Sequence, residues 1–372
     1  MTAVLYHEGG FPPVELDWPR LIPLIGPANA AIARYEGVLH GVPNPQVLLS
    51  PLTTNEAVLS SRIEGTQATL GEVLELEAEG GPLDETTPKQ ADIREILNYR
   101  AALAEATRLL TELPLSQRLI RQTHEVLMQG VRGRNKSPGE YRRVPNWIGP
   151  PGCGIEDARF VPCGADRVSA AMDAWEAYIH AATPDLLVQL AVLHAEFEAI
   201  HPFLDGNGRL GRLLIPLYLY AKQLLVRPSF YLSEFLESRR DQYYDRLLAV
   251  SREGDWTGWC VFFLEALIAQ AAENERKARA IMDLYNSRKD WIATVTRSQY
   301  GVRALDWFFL RPIFKASDFA ASVDIPAPTA GRILRTAREQ GLLTELRPAS
   351  GRRAAVLIFP ELLNLAEGSE AF

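Results

Sequence analysis

Apolar residues recur at helical spacing over most of the chain, and this periodicity predicts a mainly α protein. The strongest run is Leu186, Leu187, Leu190, Leu193, Phe197 and Ile200, expected as a helix over 185–200. Further helices are expected over 28–40, 54–64, 70–79, 89–113, 116–128 and 169–182. Others follow from about Asn207 through Leu219 and over 233–251, 256–272 and 273–291. Thr53 or Thr54 would cap the 54–64 helix and Gly65 would stop it. Pro202 disfavours α geometry at His201, so the 185–200 helix should end there. Strand character is confined in this part of the chain to 144–148 and 158–161, which flank a turn rich in Pro and Gly and predict a β-hairpin. From Tyr300 the pattern shortens: helices over 304–310, 316–323 and 328–340, then strands over 342–346 and 354–359 around a turn at 347–353. That order resembles a winged helix. Three domains are therefore expected: a helical N-terminal region (1–113), a central domain with flanking helices (114–295) and a C-terminal winged-helix-like module (296–372).

Composition narrows the function classes. With 372 residues, 47% hydrophobic and 23% charged, the chain reads as an ordinary globular protein. A net charge of −7 argues against a whole surface built for nucleic acid. The C-terminal module differs, because 297–353 holds ten Arg or Lys against five Asp or Glu. Arg332, Arg335 and Arg338 on its third helix, with Arg352 and Arg353 on the turn, would suit a phosphate backbone over 316–359. A surface for protein contact or dimerisation fits the same residues. No basic segment followed by an apolar stretch opens the chain, and no apolar run is long enough for a bilayer. Cys153, Cys163 and Cys260 lack zinc-site spacing, so a reducing cytoplasm is the expected location.

The chemistry concentrates in twelve residues, His201-Pro202-Phe203-Leu204-Asp205-Gly206-Asn207-Gly208-Arg209-Leu210-Gly211-Arg212. Gly206 and Gly208 permit a tight turn with positive φ ahead of a new helix. The first N–H groups of that helix have no partner within it and carry the positive end of its dipole, which suits a phosphate. Arg209 and Arg212, three apart, share a face, and guanidinium forks match phosphate oxygens. Asp205 is out of place in so positive a setting unless it holds a cation, and one carboxylate with phosphate oxygens is a normal Mg²⁺ site. His201 can exchange a proton near neutral pH. A transition-metal site is also open on paper, since His194, Glu198 and His201 fall on one helix face.

This segment resembles the signature of the Fic family, His-x-Phe-x-(Asp/Glu)-Gly-Asn-Gly-Arg-x-x-Arg, and matches its fixed positions. The resemblance implies a Fic-type helical core and transfer of a nucleotide monophosphate, usually AMP from ATP, to a hydroxyl of a protein target or of the chain itself. On that basis His201 is the base and Asp205 the Mg²⁺ ligand. Gly206, Asn207 and Gly208 form the anion hole, and Arg209 and Arg212 hold the outer phosphates, so that the nucleotide lies along Asp205 to Arg212, Leu210 and Gly211 included. The hairpin becomes a flap that docks an extended target segment, with Ile148 and Gly149 nearest the nucleotide. Tyr243 and Tyr244 match a region bordering the nucleoside in relatives, although core packing would place them equally well.

A second motif, Ser60-Ser61-Arg62-Ile63-Glu64-Gly65, matches the family's inhibitory pattern (Ser/Thr)-x-x-x-Glu-(Gly/Asn). Ser60 and Glu64 share a helix face, and Glu64 is expected to occupy the fork of Arg212 as a bidentate partner. The same glutamate could help water remove AMP in reverse. The function expected is thus an autoinhibited protein adenylyltransferase. The alternative is a DNA-binding regulator whose core only senses a nucleotide. A protein with a Ser, Thr or Tyr hydroxyl is the expected partner; DNA and a second copy of the chain are the others left open.

Overall fold

The computed structural model describes residues 3–80, 87–130, 136–150, 152–351 and 353–372. In chain order the elements are β1 (Val4–Leu5), α1 (Trp18–Gly41), α2 (Pro45–Leu48), α3 (Ser50–Ile63), α4 (Leu70–Glu79), α5 (Pro88–Leu109) and α6 (Gln117–Leu127). Next come β2 (Phe160–Val161), α7 (Val168–His180), α8 (Leu186–Ile200), α9 (Asn207–Ala221), α10 (Ser233–Ser238), α11 (Arg240–Glu253) and α12 (Trp256–Thr296). The chain closes with α13 (Gly301–Leu310), β3 (Ile313–Lys315), α14 (Ala316–Ser322), α15 (Ala327–Glu339), β4 (Thr344–Arg347), β5 (Val356–Ile358) and α16 (Pro360–Glu367). The fold is mainly α, as the periodicity predicts.

Two compact units share these elements: 1–36, 59–66 and 94–272 form the first, and 37–58, 67–93 and 273–372 the second. Helices α1, α3, α5 and α12 each run from one set of residues into the other.

In the first unit α8 is buried on nearly every face, as an all-round apolar helix must be. Asp185 caps it, accepting the N–H groups of Leu187 and Val188 at 2.9 Å each. Buried indoles have their hydrogen bonds: Trp175 donates to the Leu193 carbonyl (2.8 Å) and Trp259 to that of Ala191 (2.7 Å). Helix α9 packs against α8 with everything from Asn207 to Leu219 buried.

Several expectations change. Helix α1 starts at Trp18, ten residues before the expected 28. Pro19, Pro23 and Pro27 recur every four residues on an exposed face, where water can meet the carbonyls that lose their N–H partners. The 233–251 helix breaks at Arg239 into α10 and α11, and the two helices expected over 256–291 are one helix of 41 residues. The expected hairpin shrinks to one antiparallel bridge, Ile148 with Phe160. Pro145, Pro150 and Pro162 have no N–H to extend a ladder. Strand β2 finds its partner elsewhere, pairing in parallel with β1 through Val4–Phe160 and Leu5–Val161.

In the second unit α4 has the capping box its sequence encodes: Glu72 N–H donates to Thr69 Oγ1 (3.3 Å) and Thr69 N–H to Glu72 Oε2 (3.0 Å). The C-terminal residues form an antiparallel sheet in the order β3-β5-β4, with α13, α14 and α15 beside it. Phe308, Phe314 and Phe319 pack beneath, and Trp307 meets Phe314 edge-on at 4.7 Å. Strand β3 was not expected; three residues between Pro312 and a helix give too short a pattern to read. Arg332 donates to the Thr296 carbonyl (2.5 Å) and Arg338 pairs with Glu345 (2.5 Å). Arg335 and Arg353 are exposed, while Arg352 lies outside the described residues.

Candidate functional site

His201 ends α8 in a left-handed conformation (φ 50°, ψ 61°), and its N–H still reaches the Phe197 carbonyl at 3.0 Å. The helix stops where Pro202 requires, but through a left-handed turn instead of an extended one. Such a residue stores on the order of 1–3 kcal/mol, and histidine tolerates the region better than most. The ring's Nδ1 faces the Glu198 carbonyl (3.3 Å), which can only accept, so Nδ1 carries the hydrogen and Nε2 is left as the acceptor. Burial pushes this imidazole down to about 4, against the opposing pull of Glu64. At pH 7 it is neutral.

The turn that follows is braced from within. Asn207 accepts the Phe203 N–H (2.9 Å) and donates to the Phe203 carbonyl (2.8 Å), so its side chain holds the loop, leaving the backbone to face a ligand. Gly206 has φ 77°, and a Cβ there would lie 2.6 Å from Met128 Sδ. Asp205 Oδ1 takes the Gly206 N–H at 2.6 Å, and the carboxylate is 40% accessible. Leu210 is buried in the core, so it can offer a ligand only its backbone. A Cβ on Gly211 would meet Glu198 Oε1 at 2.3 Å.

Glu64, at the end of α3, reaches this turn. Its Oε1 accepts from Arg212 Nη2 at 2.6 Å, and a Cβ on Gly208 would lie 2.2 Å from the same oxygen. The carboxylate therefore sits over the first turn of α9, where backbone and dipole favour an anion. Burial opposes ionisation of Glu64, but the Arg212 charge and hydrogen bond, with Arg209 and His201 behind, hold the carboxyl below its ordinary range. The bidentate pairing expected from sequence does not form. Arg212 Nε donates to Ser60 Oγ (3.0 Å) and Nη2 also to the Ser60 carbonyl (2.9 Å), so α3 takes the fork through two residues.

Arg209 pairs with Glu95 on α5 at 3.0 Å. Tyr243 is almost fully buried with its hydroxyl 2.9 Å from His194 Nε2, which makes it a core residue in this state; Tyr244 is half-buried, its hydroxyl 3.5 Å from the Ile63 carbonyl. Ile148 is 37% exposed, and a Cβ on Gly149 would meet Cys153 Sγ at 2.6 Å. His194 points into the core, Nδ1 on the Gly211 carbonyl at 3.2 Å, and no group of three metal-ligating side chains occurs among the described residues.

Some contributors left no local signal. His124 stacks on Phe203 (3.7 Å, 11°), accepts the Gly139 N–H at Nδ1 (2.9 Å) and donates from Nε2 to the Asp205 carbonyl (3.0 Å). Glu95, Asn146 and Arg142 likewise reach the signature from distant segments; Asn146 donates to the Phe203 carbonyl at 3.1 Å.

The buried imidazoles make stability acid-sensitive. Burial lowers His124 to about 4 and His194 to about 3, as it does His201. Between those values and the ordinary 6.5 the unfolded chain binds more protons, so stability present above 6.5 is lost as pH falls toward 4, by on the order of 2–3 kcal/mol for each group. Glu198, raised to about 7 by burial, acts oppositely between 4.5 and 7 and offsets part of this. The melting temperature should therefore drop on acidification from pH 6.5 to 4. A flat or rising profile would contradict the burial described.

The Fic/DOC family N-terminal model matches residues 22–108 and the Fic/DOC family model residues 114–219. A protein adenylyltransferase Fic from Culex quinquefasciatus is 32% identical over 120 residues, 32% of this chain and 21% of that protein. The chain thus spans about a fifth of the length of the curated relatives it matches. A Fic family protein from Desulfovibrio desulfuricans shares the fold over 94% of this chain and 98% of its own (TM-score 0.58, 22% identity). A Fic domain containing signaling protein from Bacteroides thetaiotaomicron does so over 68% and 97% (TM-score 0.53, 18% identity). With its signature turn set between α8 and α9 and both family models matched in tandem, the chain belongs to the Fic/DOC family.

Proposed function

We propose that this chain is an autoinhibited protein adenylyltransferase that moves AMP from ATP to a Ser, Thr or Tyr hydroxyl of a protein target or of itself. The observation that carries the reading is the Glu64 carboxylate on Arg212, over the first turn of α9. In the reaction the target oxygen attacks the α-phosphorus. A bond forms between that oxygen and phosphorus, the bond to the β-phosphate oxygen breaks, and pyrophosphate leaves. His201 Nε2 accepts the hydroxyl proton. The backbone of Gly206, Asn207 and Gly208 receives phosphate oxygens, and Arg209 and Arg212 take the outer phosphates.

Asp205 is the residue that would hold Mg²⁺. Its 40% accessible carboxylate, in a turn of otherwise positive character, fits a cation shared with phosphate. When bound, the ion would neutralise charge on the phosphates.

The bridge at Ile148 and Phe160 is the proposed flap, presenting Ile148 and Gly149 beside the nucleotide and an edge to an extended target segment. Tyr244 would border the nucleoside. Residues 1–113, 114–295 and 296–372 are read as inhibitory, catalytic and winged-helix regions; three helices and the β3-β5-β4 sheet support the last. Binding of DNA there is the weaker reading, since Arg332 and Arg338 already have partners within the protein. Free cysteines at 153, 163 and 260 fit a reducing cytoplasm, and no helix among the described residues is long and apolar enough to cross a membrane.

Mass spectrometry of the Glu64→Gly variant incubated with Mg²⁺ and an equimolar mixture of nucleoside triphosphates tests the reading. An AMP adduct on a hydroxyl side chain is expected. Absence of an adduct from every nucleotide, on the chain and on lysate proteins alike, would sink it.

A further inference from the structure

Arg142 lies on the segment before the flap and is buried, 3% accessible. Its guanidinium donates to four backbone carbonyls: His201 (Nε, 2.8 Å), Ile200 (Nη2, 3.1 Å), Val144 (Nη1, 3.3 Å) and Cys163 (Nη2). Its own N–H donates to the Pro202 carbonyl at 2.9 Å. Among the described residues none of these acceptors is a carboxylate. A buried charge met only by neutral carbonyls is costly to keep for stability alone.

The acceptors have a pattern. Ile200 and His201 end α8, where carbonyls lack helical partners and the dipole favours a cation. Val144 and Cys163 lie on either side of the Ile148–Phe160 bridge. One planar fork thus ties both feet of the flap to the backbone of His201, a residue in a left-handed conformation that needs outside support. A lysine cannot reproduce four directed bonds from one plane.

We propose that Arg142 is a positioning residue for the transfer reaction: it fixes the backbone of His201 and registers the flap against it, setting the distance between base and target hydroxyl. This rests on the adenylyltransferase reading. Arg142 does not contact the phosphate cradle and reaches the nucleotide only through the flap, so its loss should slow the chemical step far more than it weakens ATP binding.

The test uses the full chain in the Glu64→Gly background, whose own AMP transfer is measured first and stands or falls with the adenylyltransferase reading. Into it go Arg142→Gln and Arg142→Lys, the latter retaining the charge. Both should lower kcat at least about tenfold with KM for ATP within about twofold, since a misplaced base costs rate before it costs binding. If Arg142→Gln does not fold, Arg142→Lys decides alone. Parental kcat in Arg142→Lys, or a rise in KM for ATP that accounts for the whole loss, would overturn the proposal.

Discussion

Glu64→Gly should raise AMP transfer roughly 10- to 100-fold, because a charge-assisted hydrogen bond of about 1.5–3 kcal/mol no longer competes for Arg212. The carboxylate sits 2.6 Å from Nη2 and directly over Gly208, the two features a terminal phosphate would seek. On the proposed reading, a triphosphate must displace Glu64 or bind with its α-phosphate out of line. The Glu64 side chain is 37% accessible, so water weakens the contact and holds the gain to this range. Incorporation of α-labelled ATP at subsaturating nucleotide measures it. Equal incorporation by the parent and the variant would show that the contact restrains nothing.

His201→Ala in that activated variant should cut transfer by on the order of 10²–10⁴, the usual worth of a positioned base. The neutral ring offers Nε2 because its Nδ1–H faces the Glu198 carbonyl. Its low proton affinity keeps it in the basic form down to about pH 4. Nucleotide affinity should hardly change, since the proposed cradle lies in Gly206 and the start of α9. Isothermal titration with ATP beside the transfer assay separates the two effects. A drop in affinity that matched the drop in rate would instead mark the ring as a ligand contact.

The parts of this site legible in sequence are those written locally. The signature turn and the stop at Gly65 each need only a few neighbouring residues, whereas the cap expected at Thr53 or Thr54 fails because α3 already begins at Ser50. Ser60 and Glu64 were readable for the same reason, being one helical turn apart. What stayed hidden comes from far along the chain. Glu95 reaches Arg209 across 114 positions, His124 reaches Asp205 across 81 and Arg142 reaches His201 across 59. No periodicity announces such meetings. Other misses have local causes. Pro19, Pro23 and Pro27 lie on the exposed face of α1, which starts before the expected residue 28, and the prolines around residues 145–162 leave one bridge of the expected hairpin. Helix α12 is one helix where two are expected, although no Gly or Pro interrupts its middle.

The tether of Arg212 to Ser60 separates two ways of taking Glu64 away from Arg212. With Glu64 replaced, the Ser60 hydroxyl and carbonyl, which bond Arg212 in the parent, should still hold the guanidinium. Excising the whole segment would cast that side chain adrift and forfeit its preorganisation. A truncated chain should therefore transfer AMP more slowly than the single-residue variant, though both have lost the same negative charge.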